Sequence, residues 1–552
     1  MKKKRILTGF FAGAAALSLA LTGCSGAGND DASNSDVKKA SKEDVQKKKS
    51  DEIIVAYGTE PQRPLVPGDT NETGGGDVID VLWEGLVYYD EEGKSHNGVA
   101  EDISSEDNKK WTVKLKKDRK FSDGTPVKAE NFVKAWQATT KQALLNQWWF
   151  GTFEGVDEEG NGDLSGVKVV DDFTFEVNLK EPESTFPLQL GYSAFYPLPD
   201  VAFDGDKLKA DFGKAPVTNG PYKFDEWKNN QYIKTVRNDK YVGDREALNG
   251  GVEFKIYQQD NAGYADLQSG TLDVMKTIPA ASLNSFKSDL GERAIQQEQA
   301  VHQTFTIAAK EPHFEIGTEE GKLRRQAISM AIDRDTISEK IFAGVVKPAK
   351  GWFNPTINYY NDKVKGVENV EFNPDKAREL WKKAEEISKF EGDFTLAYNA
   401  DASHKEWVDA VCNSIKKELG VNAHGNGVPT FKDFRDQVTN REMKGAFRTG
   451  WQADYPSPVN YYGSIYVTGG SANDGDYTNK KFDDLVQKIR TSKDDKEIQK
   501  FSDEAAEILF DDLPSIPLWT TQATGGHSER TSNVIFDWHG VPMYYQVVVE
   551  KK

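Results

Sequence analysis

The apolar positions fall into three regimes along the chain. Residues 6–21, "ILTGFFAGAAALSLAL", form one continuous run behind the cationic "MKKKR" of residues 1–5. The run is short of the ~20 residues that span a bilayer, and its flanks are those of an export signal. From 25 to 50 large apolar residues almost vanish, so the stretch cannot bury enough surface to order itself and reads as a flexible tether. From about Glu52 onward strand and helix periods alternate.

Strict alternation in "FTFEVNL" (173–179), "VEFKI" (252–256) and "WTVKL" (111–115) predicts half-buried strands. A turn, "SDGTP" (122–126), leads into a helix with Phe132, Val133 and Trp136 on one face. Beyond Leu323 helical periods dominate. "LRRQAISMAIDRDTISEKIF" (323–342) reads as one or two helices. "NPDKARELWKKAEEI" (373–387) has Asn373 as N-cap, Pro374 at the first helical position and the stripe Ala377, Leu380, Trp381, Ala384. A strand "FTLAY" (394–398) precedes a helix bearing Trp407, Val408, Val411, Ile415 and Leu419, stopped by Gly420. Some 500 residues exceed one core, so two or three domains are expected. Strand–helix–strand order predicts α/β lobes with mainly parallel sheets, and a ligand at strand ends or between domains.

The net charge is −18, and removing Lys2, Lys3, Lys4 and Arg5 with the leader takes it to −22. So acidic a surface argues against nucleic acid and against electrostatic attachment to anionic lipid. There are two cysteines. Cys24 directly follows the leader and is used by the signal, and Cys412 falls on a helical pattern as a small core residue, which leaves no disulfide. The seven histidines are scattered with no metal-ligand spacing, and no nucleophile elbow, phosphate loop or dinucleotide fingerprint occurs. "DEEGNGD" (157–163) begins like a calcium loop but puts Lys168 where the bidentate acid belongs. We therefore expect no metal, no cofactor and no catalysis. "GWQADYPSP" (450–458) sets Asp454 among two aromatic rings and two prolines. The residues alone leave it open whether Asp454 only forms a turn or holds a captured charge.

In order and spacing, several stretches resemble the family 5 extracellular solute-binding proteins, the oligopeptide and dipeptide receptors of ABC importers. They are "LWEGLVYYDEEG" (82–93), "WTVKLKKDRKFSDGTPVKAENFVKAW" (111–136), "VTNGPYKFDEW" (217–227), "LRRQAISMAIDRDTI" (323–337), "GWQADYPSP" and "LPSIPLW" (513–519). The leader ends in "LTGC", which resembles a bacterial lipobox. That resemblance implies lipidation of Cys24 after loss of residues 1–23, and a tether over 24–51.

The family also implies a bilobal clamp with two mixed α/β lobes that closes by a hinge. Lobe I would take 52–86, 217–305 and 526–552, with a subdomain inserted at 87–216, and lobe II 306–525. The resemblance further implies that Asp454 pairs with a peptide's α-ammonium while Gly450 and Trp451 line the main-chain edge. A glycine-rich loop of Thr73 to Gly76, including Gly75 and Gly76, would face them, with Glu72 the only nearby acid. Trp148, Trp149, Tyr462 and, less directly, Tyr57 and Tyr461 are implied pocket aromatics. The expected protein is a monomeric lipoprotein outside the cytoplasm that delivers short peptides to a membrane permease. Two alternatives stay open: the same clamp holding an oligosaccharide, opine, haem or nickel complex, and a peptide-binding adhesion or signalling lipoprotein without a transporter.

Overall fold

The computed structural model describes residues 49–550. Residues 1–48, with the leader, Cys24 and nearly all of the tether, lie outside the described residues.

Eleven strands form one sheet that runs through both halves of the molecule. Its first part is ordered Tyr222–Lys228, Tyr232–Arg237, Gly251–Ile256, Ile53–Gly58 and Val274–Met275. Two long strands follow, Ser515–His527 and Ala294–Ile307, and then Ala446–Gln452, Phe394–Asn399 and Ala423–Val428; the eleventh, Val346–Pro348, pairs off this path with Ser515–His527. The long pair is the bridge. Residues 294–298 pair with 522–526 on one side, and 302–306 pair with 515–520 on the other. Between Glu298 and His302 the register shifts, which twists the ladder and makes a local bend there. The first half packs around Ile54, Ile79, Phe132 and Trp136, the second around Phe305, Ile328, Trp352 and Phe482.

The expectation of mainly parallel sheets is corrected. Parallel pairing is confined to Ile53–Gly58 with Gly251–Ile256, the single pair Ala56 and Val274, and Phe394–Asn399 with its two neighbours. The rest is antiparallel, because a tight turn joins Tyr222–Lys228 to Tyr232–Arg237 and the bridging strands run in opposite directions. Local readings fare better. Asn373 accepts from Lys376 N at 3.1 Å to cap helix Pro374–Ile387, and Gly420 ends Lys405–Leu419 at φ 73°. Residues 323–342 are two helices, Glu319–Met330 and Arg334–Phe342, and Cys412 is buried.

Residues 87–216 carry their own four-stranded sheet, Ala100–Ser105, Lys110–Leu115, Thr174–Asn178 and Val167–Asp171, covered by helix Ala129–Lys141. The region also reaches the second half of the molecule. Ser184 donates from its backbone N to Arg490 O (2.5 Å) and from its hydroxyl to Ile489 O (2.9 Å). Asn108 Nδ2 donates to Thr491 O (3.0 Å), and Arg490 pairs with Glu183 at 3.4 Å. These contacts grip the C-terminal turn of helix Lys480–Thr491, where unpaired carbonyls welcome donors.

Candidate functional site

The site is built around strand Ala446–Gln452. One of its edges pairs antiparallel with Val301–Ile307 along the whole strand. The other pairs with Phe394–Asn399 only at Ala446 and Phe447, so residues 448–452 have no strand partner on that side among the described residues. Such an edge offers main-chain donors and acceptors to an extended chain. Two cavities adjoin it. Gln452 and Asp454 line the larger, of about 520 Å³; Arg448, Gly450 and Trp451 line the smaller, of about 260 Å³. Trp451 and Gln452 are consecutive strand residues with opposite facings, which is how one strand serves both.

Asp454 follows the strand end and is partly buried. Asn460 locks it: Asn460 Nδ2 donates to Asp454 Oδ2 (3.0 Å), while Asn460 Oδ1 accepts from Asp454 N (3.1 Å) and Trp451 Nε1 (2.7 Å). Ser457 caps the short helix Pro458–Tyr461 that carries Asn460, so the turn reading and the charge reading of "GWQADYPSP" describe one construction. Burial pushes the Asp454 carboxyl up to about 6. Asp80, half-buried and close to Asp77 and Asp537, is pushed up to about 7 by desolvation, which also takes Asp537 to about 6. Among the described residues none of Asp80, Asp454 and Asp537 makes an ion pair. The cations of this cavity are already engaged: Lys276 holds Asp77 at 2.5 Å, and Arg245 faces Glu84 at 3.8 Å. The larger cavity therefore carries a surplus of negative charge.

Thr73 to Gly76 is corrected from a loop to the first turn of helix Thr73–Leu82. Glu72 is its N-cap, accepting from Gly74 N (2.7 Å) and Gly75 N (2.9 Å). The glycines reflect close packing: a Cβ on Gly74 would lie 2.6 Å from Thr59 Oγ1, and one on Gly75 2.6 Å from Glu72 Oε1. Gly75 is buried inside the cap, whereas Gly76 lines the larger cavity with open space before it.

The aromatics sort differently from expectation. Trp148 is 50% exposed and stacks on buried Trp149 at 4.7 Å; Trp149 stacks in turn on Tyr192 at 4.3 Å. Of these three stacked rings, Tyr192 lines the larger cavity and the tryptophans do not. Tyr462 is packed in the core of the second half against Phe353 (5.4 Å) and Phe482 (5.6 Å) and lines neither cavity. Tyr461 donates to Ala300 O (3.1 Å), and Tyr57 stacks on Tyr257 and donates to Asp260 (2.6 Å). All three are held by neighbours in the fold.

Arg448 and His302 were not singled out from sequence. The Arg448 guanidinium donates through Nε to Asn399 Oδ1 (2.6 Å), lies over Phe431 and Phe434, and makes no ion pair among the described residues. Its place two residues before Gly450 was the signal available; His302 offered none.

Residues 94–473 match the family described as bacterial extracellular solute-binding proteins, family 5. The periplasmic oligopeptide-binding protein OppA of Salmonella typhimurium is 30% identical, with 79% of this chain and 81% of that protein covered. The dipeptide-binding protein DppE of Bacillus subtilis is 24% identical over 94% of each. Among solved structures, the unliganded open form of the murein tripeptide-binding protein MppA superposes with a TM-score of 0.80 at 22% identity, covering 91% of this chain and 98% of that one. DppA from Helicobacter pylori in complex with the peptide STSA gives 0.70 at 20% identity over 92% and 99%. These structures share the bilobal fold. The chain thus belongs to the family 5 bacterial extracellular solute-binding proteins.

Proposed function

We propose that this protein captures short peptides between its two lobes, holding the α-ammonium on Asp454 and the main chain along the free edge of residues 448–452. The observation that carries the reading is Asp454 itself: a desolvated carboxylate without an ion pair among the described residues, set by Asn460, at the end of an unpaired strand edge and on the larger of the two cavities. Every unmodified peptide supplies one ammonium whatever its side chains, and a charge-assisted hydrogen bond in a water-poor cleft is strong. The main chain supplies the rest as an added strand. Relatives named for oligopeptides, dipeptides and murein peptide support the ligand class.

The lobes meet across the two bridging strands, and the register shift between Glu298 and His302 is where bending concentrates in closure. In this reading Cys24, outside the described residues, is lipidated and anchors a monomeric receptor at the outer face of the cell membrane, which hands its cargo to an ABC permease. Among the described residues no helix is long and apolar enough to cross a membrane. Calorimetry with a peptide and its N-acetylated copy tests the reading; equal affinity for both overturns the role of Asp454. Native mass spectrometry of the purified protein tests the ligand class, and a sugar or haem in the cleft would overturn it.

A further inference from the structure

The acids of the larger cavity are not equally spent. Five carboxylates line it, against one lysine and one arginine. Glu72 is committed to the cap of its helix, and Asp77 holds Lys276 at 2.5 Å. Arg245 donates to the Trp83 carbonyl (2.9 Å) and faces Glu84 at 3.8 Å. His539 adds no positive charge near neutral pH, because burial pushes it down to about 4. Asp454 takes the α-ammonium in the reading above. Two carboxylates remain, Asp80 and Asp537.

Asp80 lies in the last turn of helix Thr73–Leu82, and among the described residues its carboxylate makes neither a hydrogen bond nor an ion pair. Asp537 is fixed from one side. Its Oδ1 accepts from His539 N and Val541 N, both at 2.9 Å, which leaves Oδ2 without a partner among the described residues. Tyr544 is an independent sign. It is 2% exposed, and its ring packs edge-on against Phe254 at 5.4 Å. Its hydroxyl has no hydrogen-bond partner among the described residues, yet it is not sealed off, so it opens into the cavity that Tyr544 lines. Buried polar groups are almost always paired. An idle phenol on a wall shared with two idle carboxylates marks a place for a ligand's donors.

We propose that the larger cavity selects a second cation, the basic side chain of the ligand's first residue, held by Asp80 and Asp537 with the Tyr544 hydroxyl as a further acceptor. The inference rests on the peptide reading above. With the α-ammonium on Asp454, the chain leaves along residues 452–448 toward the smaller cavity, and consecutive side chains of an added strand turn to opposite faces. The first side chain is therefore the one that stays beside Asp454 in the larger cavity. There Asp454 and Asp80 are close enough that both add to the effect of burial in raising the Tyr192 phenol. Lysine and arginine bring only N–H donors, which suits a wall whose free groups are carboxylates and a hydroxyl oxygen. Desolvation first, and then Asp77 and Asp537, raise Asp80. A cation between Asp80 and Asp537 relieves both the lost hydration and the mutual repulsion.

Calorimetry of the intact folded protein with three tetrapeptides tests this: Lys-Ala-Ala-Ala, its copy with norleucine in place of Lys, and Ala-Ala-Ala-Lys. All carry a free amine. The first and third carry equal charge, so general attraction to an acidic protein is common to both. The expected result is that Lys-Ala-Ala-Ala binds at least about tenfold tighter than its norleucine copy. Ala-Ala-Ala-Lys should match the norleucine peptide within about threefold. Asp80→Asn keeps the shape of a side chain that bonds to nothing in the fold. It should cut the lysine advantage below about threefold and leave the norleucine peptide within about twofold of wild type. Equal affinity for lysine and norleucine peptides in the wild type overturns the inference without recourse to any variant. So does an equal gain from the C-terminal lysine, a lysine advantage undiminished in Asp80→Asn, or a loss in that variant shared by all three peptides. Each of these outcomes overturns this inference alone. Failure of all three to bind the wild type overturns the peptide reading and this inference with it.

Discussion

The two cavities beside strand Ala446–Gln452 are electrostatic opposites made by one physical effect. In the larger, burial raises Asp80, Asp454 and Asp537, and the cations present are already engaged. In the smaller, burial lowers His302 and Arg448, and the one lining carboxylate, Asp474, is held by Arg435. Desolvation penalises charge of either sign, so each cavity holds groups that an opposite charge on the ligand would relieve. A zwitterion laid along the intervening edge relieves both. The contrast teaches that one physical effect, desolvation, gives adjoining cavities opposite electrostatic demands.

The largest expected effect breaks the acidic side. Asp454→Ala should weaken a free-amine peptide by about 2–5 kcal/mol, the usual cost of unpairing a buried charge. It should leave an N-acetylated peptide, which lacks the cation, nearly unchanged. Calorimetry on both peptides checks this, and equal losses would dissolve the contrast. On the basic side, Arg448→Met should cost a carboxylate-bearing peptide about 1.5–3 kcal/mol and its amidated copy little; titration of the pair decides.

Acid should affect the two sides in opposite senses. Asp454 has a folded value near 6 against an ordinary 3.8, so the folded state binds the extra proton between these limits. Its contribution to ligand-free stability is greatest below about 3.8 and is lost as pH rises through 6. His302 is depressed to about 3 from 6.5, so its contribution is intact above 6.5 and is lost as pH falls toward 3. Urea denaturation at pH 7 and pH 5 of Asp454→Asn and His302→Asn should therefore shift the pH slope in opposite directions. For a free-amine peptide, affinity should fall below about pH 6 as Asp454 protonates, and the fall should vanish in Asp454→Asn.

Smaller effects separate charge from scaffold. Glu72→Ala removes the cap of the helix that lines the acidic cavity and should cost about 1 kcal/mol of stability, seen in thermal unfolding. Asn108→Ala, at the grip on the C-terminal turn of helix Lys480–Thr491, should cost about 0.5–1.5 kcal/mol by urea denaturation. Neither should change the pH dependence of binding, since neither titratable group of the comparison is touched.

Much was legible in the chain because it was local. The cap at Asn373, the stop at Gly420, the alternating strands and the facing of Phe132 and Trp136 depend on neighbours a few residues away. The turn at Asp454 was legible because its rings and prolines are consecutive, while the role in capture came only from the family resemblance. Thr73 to Gly76 was misread because glycines serve loops and close packing alike, and only the approach of Thr59 and the cap from Glu72 decide between them. Tyr462 could not be sorted from Tyr192 by composition, since a tyrosine in a core and one at a cavity wall are the same letter with different distant neighbours. His302 is the extreme case. Its idle nitrogens exist because strands 302–306, 446–452 and 515–520 meet around it. The residues in order were enough for most of the local elements, the acidic charge and the turn that carries Asp454. Only the tertiary structure decided the antiparallel bridge between lobes and the pairing of an acidic with a basic cavity. Those depend on contacts hundreds of residues apart, and desolvation is a property of the enclosed space rather than of any residue.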